Sequence, residues 1–161
     1  MSLGQRVTSD HQLARLLQIG IVLEEVVEAR AQRHADELAE TDEGTRRLLE
    51  DAAEESSEHR HALAGLLEEL DAGSVPYEEV ERLVEERYAA TSPEDFDGLL
   101  YDQLCNEETA YKFYDDLVDA IESSEVAFGV DRDHVLETLR AIRADEEEGV
   151  EAVTRLMERQ E

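Results

Sequence analysis

The chain has 161 residues, with 43 Asp and Glu against 15 Lys and Arg and a formal net charge of −28. That balance excludes nucleic acid as a partner, because phosphate binding needs a basic face. No apolar run approaches the roughly 20 residues of a membrane span and no charged-then-apolar leader opens the chain, so no membrane partner and a cytoplasmic location are expected.

One domain suits this length, burying roughly 70% of its unfolded surface. A hydrophobic content of 41% and sustained helical periodicity argue against a disordered acidic chain. With 5% aromatic residues and no Trp, the core must be mostly Leu, Val, Ile and Ala, which favours helices. One cysteine, Cys105, leaves no internal disulfide to form.

In chain order, Ser9 or Asp10 can cap a first helix over residues 10–39. Leu13, Leu17, Gly20, Glu24, Val27, Glu28, Ala31, Ala35 and Leu38 share one of its faces. A short turn at 41–44 returns the chain antiparallel in a second helix over 43–72, which Gly73 ends. Residues 76–90 read as a shorter helix within a crossover. Ser92 and Pro93, followed by acids, open a third helix over 93–123. Its inner face carries Leu100, Leu104, Glu107, Tyr111, Tyr114, Val118 and Ile121. A fourth helix over 131–158 turns Val135, Leu139, Ile142, Glu146, Val150, Val153 and Met157 inward. The expected architecture is all-α: two long hairpins joined by a crossover that lets helices two and three run parallel in a four-helix bundle.

The second helix decides the register of any site. Turning His61 inward would complete a Glu58-x-x-His61 pair, but it would point Leu63, Leu66 and Leu70 away from the core. The stripe Leu48, Ala52, Glu55, His59, Leu63, Leu66, Leu70 turns His59 inward instead, with Glu55 one turn behind it and Ser56 three residues before it. Acids in mid-stripe on four helices, together with a histidine, point to a carboxylate metal site in the bundle core. Unpaired buried carboxylates cost several kcal/mol each. The candidate ligands are Glu28, Glu55, His59, Glu107 and Glu146, with Glu24 able to raise the count. His11, His34, His61 and His134 read as surface or boundary residues, and Cys105 as an inert thiol off the inner stripe.

The stretch NEETAYKFYDDLVDAI resembles the Glu-x-x-Ala-x-x-Phe-Tyr-x-x-Leu pattern of the rubrerythrin-like proteins of the ferritin-like superfamily. Glu107 stands at its metal-ligand position and Tyr114 beside it. The first helix is similar in register at Glu28, Ala31 and Leu38-Ala39, with His34-Ala35 where Phe-Tyr would be. AIRADEEEGVEAV resembles the family's Asp-Glu-x-x-His stretch, with Glu146 as ligand and Gly149 where the histidine is expected. In the second helix, Ser56 takes the place of the family's glutamate. The resemblance implies a ferritin-like bundle holding iron or manganese and handling oxygen, peroxide or the metal itself. With the departures at Ser56 and Gly149, Glu28, His59, Glu107 and Glu146 make one good mononuclear set and a thin dinuclear one, so that one ion or two remain open. A single cysteine leaves no rubredoxin-like four-cysteine iron site. The alternative is a metal-depleted bundle, kept as a dimerising or partner-binding module; a homodimer is expected. The acid excess and the near absence of lysine resemble haloarchaeal proteins, whose charge is screened by a salt-rich cytoplasm.

Overall fold

The computed structural model of the chain describes residues 7–38, 43–70, 82 and 98–159. Four helices stand among them and no strand: α1 (Asp10–Glu37), α2 (Glu43–Leu70), α3 (Leu99–Glu122) and α4 (Arg132–Arg159). None of these is long and apolar enough to cross a membrane. The crossover helix expected over 76–90 lies outside the described residues, as do the expected helical positions 39, 71–72 and 93–97.

Each boundary has a local cause. Ser9 caps α1 with extended backbone, its hydroxyl accepting from the Gln12 amide at 3.2 Å, which satisfies one of the orphan donors of the first turn. The Asp10 carboxylate then accepts from the Gly129 amide at 3.0 Å, tying the α3–α4 connection to the start of α1. The described third helix starts at Leu99, directly after Gly98, whose φ of +124° is a left-handed value outside the helical range. At its other end, the Arg132 guanidinium donates to the carbonyls of Ile121 and Glu122, both at 3.0 Å, so the first residue of α4 covers the exposed C-terminus of α3.

α1 packs chiefly on α2 and α3 on α4, and the two hairpins meet through α2 on α4 and α1 on α3. In α1 the buried positions Leu13, Leu17, Gly20, Glu24, Val27, Ala31 and His34 follow a strict alternation of four and three residues. The buried positions Val135, Leu139, Ile142, Glu146 and Val153 of α4 fall in the same repeat, which is the spacing that keeps one stripe facing a nearly antiparallel neighbour. At Gly20 the helices approach closely enough that a Cβ would lie 3.1 Å from Leu63 Cδ1 and 3.3 Å from the Phe113 ring.

Two apolar clusters result. The larger joins Leu13–Val27 of α1 with Leu63, Leu66 and Leu70 of α2, Ala110–Ile121 of α3 and Val135–Ile142 of α4. The smaller holds Ala31, Ala35, Leu49 and Ala53. In the first half of α2 the buried stripe runs through Leu49, Ala53 and Ser56 rather than Leu48, Ala52 and Glu55, one residue away from the expected face. Between the two clusters the interior becomes polar.

Candidate metal centre

His59 is at the centre of this polar layer. It is buried in mid-α2 while His61 is exposed, the orientation that burying Leu63, Leu66 and Leu70 requires. Both ring nitrogens face carboxylates. Nδ1 lies 3.1 Å from Glu146 Oε1 on α4 and 3.4 Å from Glu24 Oε1 on α1. Nε2 lies 2.9 Å from Asp145 Oδ2 and 3.8 Å from Glu55 Oε1. Glu24, His59 and Glu146 offer ligand atoms within 4.8 Å of one another, all three buried, and Glu55, His59 and Asp145 offer a second, more open set.

Surrounding groups hold the carboxylates in place. The Tyr114 hydroxyl, fully buried on α3, donates to Glu24 Oε1 at 2.6 Å, and its ring stands edge-on to Phe113 with centroids 5.2 Å apart. Gln103 Nε2 donates to Glu107 Oε1 at 2.9 Å, one turn along the same helix. Glu107 and Glu146 share a hydrogen bond, which between two carboxyl groups requires a proton on one of them. Glu24 Oε2 is buried and accepts no hydrogen bond.

The electrostatics follow from this crowding. Burial disfavours a charged His59, but hydrogen bonds to Glu146, Glu24 and Asp145 outweigh it and hold its pKa up to about 11, so the ring is an imidazolium that donates from both nitrogens. Burial, together with neighbouring acids, pushes the carboxyls of Glu107 and Glu146 above the usual carboxylate range. Burial also raises Glu55 to about 7, against the opposing pull of His59, and lifts the Tyr114 phenol well above its ordinary value. The carboxyl groups of Glu24, Glu55, Glu107, Asp145 and Glu146 thus gather around the single imidazolium of His59, an excess of acids over cations. A buried excess of this kind is unfavourable unless a cation joins it.

The expected site residues do not all converge. Glu55, His59, Glu107 and Glu146 meet in the layer, but Glu28 does not. Its side chain is 30% exposed and pairs with Arg60 at 3.3 Å, because position 28 falls outside the four-three repeat that carries Glu24 inward. Glu24 therefore takes the place on α1. At the position where the resemblance leads one to expect a histidine, a Cβ on Gly149 would lie 2.7 Å from Glu107 Cδ and closer still to Glu107 Oε2. The Glu107 carboxylate fills the space that a side chain at 149 would need.

His34, expected at the surface or at the bundle boundary, is buried, with Nε2 2.6 Å from Asp102 Oδ2. Arg30 lies 3.6 Å from Asp102 Oδ1 and donates to Asn106 Oδ1 at 3.4 Å. His34 lies on the same four-three repeat as Leu13 and Glu24, and that spacing is the sequence signal for its burial. Asp102, Gln103 and Asp145 carried no comparable signal, since in so acidic a chain their residue types are common on every face.

Comparison with protein-family models, with curated proteins and with solved structures gives no match, so the meaning of the site rests on its own geometry.

Proposed function

We propose that this chain is a carboxylate metalloprotein that holds one iron or manganese ion among Glu24, His59, Glu107 and Glu146. The observation that carries the reading is Glu24. It is a fully buried carboxylate with one oxygen fixed by Tyr114, the other lacking any hydrogen-bond partner, and an imidazole nitrogen 3.4 Å away. Three hard oxygen donors and one imidazole suit Fe2+ or Mn2+, and a divalent cation offsets the acid excess of the layer. Four antiparallel-paired helices with inward acids support a ferritin-like reading. Ser56 and Gly149 leave that pattern with a single imidazole, which favours one ion over two.

The chain's own groups divide the work. Tyr114 and Gln103 fix the carboxylates of Glu24 and Glu107. Asp145, on the outer nitrogen of His59, holds the ring so that Nδ1 faces inward. The apolar cluster beneath excludes water from that side. The ion, when bound, supplies Lewis acidity and a redox couple for oxygen, peroxide or the metal itself. Metal analysis of protein purified and reconstituted in high salt tests the reading: one ion per chain is expected, lost in Glu146→Gln, and a negligible content of iron, manganese and zinc overturns it.

One observation favours a second reading. The His59 imidazolium already pairs with Glu24, Glu146 and Asp145, so the layer can act without metal as a buried ion-pair network in a bundle that serves as a binding module. Unchanged thermal stability on addition of Fe2+ or Mn2+ is the result that selects it.

A further inference from the structure

A cleft of about 510 Å³ opens between α2 and α4, and two of its lining residues also belong to the polar layer. Glu107 lies at its buried floor and Glu55 on its wall. The walls are low because small residues face each other across it, Ala52 on α2 and Ala152 beside Gly149 on α4. Among the charged groups of the lining, Asp51, Glu55, Glu148 and Glu151 outnumber Arg47 and Arg155. From Glu55 the path continues to Nε2 of His59, at 3.8 Å, and so to Asp145, whose side chain is 47% exposed. The opposite side of the layer is closed by Tyr114, Phe113 and Leu117, all buried.

We infer that divalent cations reach the buried layer through the α2–α4 cleft, with Glu55 and Asp145 receiving them beside the outer nitrogen of His59 before they pass to Glu107, Glu146 and Glu24. The inference rests on the metal-site reading and adds a route and a ligand class, a small hydrated dication. An acid-lined recess concentrates such ions and raises their rate of entry. The half-exposed carboxylate of Glu55 can exchange water for the ion before the fully buried groups do.

Uptake of Mn2+, followed at constant ionic strength by loss of the free-ion electron paramagnetic resonance signal, separates route from site. Ala52→Leu with Ala152→Leu fills the cleft without touching a ligand, and should slow uptake by about tenfold, the lower end of what focusing clefts provide, with the same final occupancy. Ala141→Leu, on the exposed face of α4, should leave the rate unchanged. Should the filled variant not fold, Glu55→Gln and Glu148→Gln carry the test. They should slow uptake, whereas Glu69→Gln and Glu137→Gln, at the other end of the same two helices, should not. An unchanged rate in the filled variant, or equal slowing by both carboxamide pairs, overturns the route while leaving the site standing. No uptake by the unaltered protein overturns both.

Discussion

On one side of Glu24 the bundle interior is largely apolar: Leu13, Leu17, Ile21 and Leu23 of α1 pack with Leu63, Leu66, Leu117, Ile121 and Leu139. On the other side, beyond His59 and Glu146, the buried groups include His34, Asp102, Gln103 and Asn106, and the buried apolar residues shrink to Ala31, Ala35, Leu49, Ala53 and Val153. Hydrogen bonding leans the same way. His34 Nδ1, Asp102 Oδ1, Gln103 Oε1, Asn106 Nδ2 and Glu24 Oε2, buried polar atoms without a hydrogen-bond partner, lie in the polar layer or beyond it, whereas beside the apolar half Asp116 Oδ2 is such an atom. The apolar half supplies the burial that drives folding. The polar half gives up packing for an arrangement of charges, a division expected where a binding site is built at a cost in stability.

Removing the one cation from the layer tests this division most severely. His59→Ala leaves Glu24 and Glu146 buried without their partner, and breaking a buried pair in this way costs about 3–5 kcal/mol. Denaturant unfolding of the ion-free protein should show that loss, together with loss of metal binding. In the apolar half, Leu117→Ala should cost about 2–5 kcal/mol through the cavity it leaves, yet preserve one ion per chain wherever the variant stays folded. If Leu117→Ala removes metal without unfolding the chain, the two halves are not separable. Replacing the layer as a unit, Glu24→Leu, His59→Leu and Glu146→Leu together, should abolish metal binding and stabilise the fold by about 1–4 kcal/mol, as hydrophobic replacement of buried ion clusters often does. A large destabilisation would mean that the layer is structural.

Much of the apolar half was legible in the sequence because periodicity reports burial directly. Leu13, Leu17, Leu63, Leu66, Leu70, Val118, Ile121, Val135, Leu139 and Ile142 are buried on the faces their spacing indicates. The polar half was less legible, for reasons particular to its residues. Helical spacing alone places Glu24 and Glu28 on one broad face, and only the four-three repeat of two packed helices separates them. On α2 the smaller Ala52 and Ala53 gave little contrast, so the stripe slipped by one position between Leu48 and Glu55. The His34–Asp102 contact spans 68 residues, a separation that local pattern does not see. His59, by contrast, was fixed by the three leucines that follow it.

Proton linkage gives a smaller effect. The folded-state pKa of His59, about 11, lies above its ordinary 6.5, so its stabilising contribution is complete below pH about 6.5 and is lost as pH rises toward about 11. Glu55 is raised from 4.5 to about 7; for a carboxyl shifted upward, stability is likewise greatest below the unfolded value and falls as pH rises between about 4.5 and about 7. Both groups act in the same direction, so the ion-free protein should melt at progressively lower temperature from about pH 5 to about pH 9 in fixed high salt. Metal competes with the same protons, and its affinity should therefore increase over that range. Calorimetric melting curves with and without Mn2+ should diverge as pH rises; parallel curves would separate the ion from these groups.

The smallest contrast lies between two helix-interior glycines, one beside the larger apolar cluster and one at the layer. Gly65 on α2 has nothing within 4 Å of where a Cβ would stand, so Gly65→Ala should gain about 0.5–1 kcal/mol from backbone entropy alone. Gly149→Ala has the same backbone gain available, but its methyl group meets the Glu107 carboxylate. That carboxylate must swing away from its hydrogen bonds to Gln103 and Glu146, and the cleft beside it gives it room to do so. The two effects oppose each other, and Gly149→Ala should therefore change stability by less than Gly65→Ala while weakening metal binding, which Gly65→Ala should leave alone. Equal stabilisation by both, with equal metal affinity, would show that Glu107 takes no part in holding the ion and would reduce the site to Glu24, His59 and Glu146.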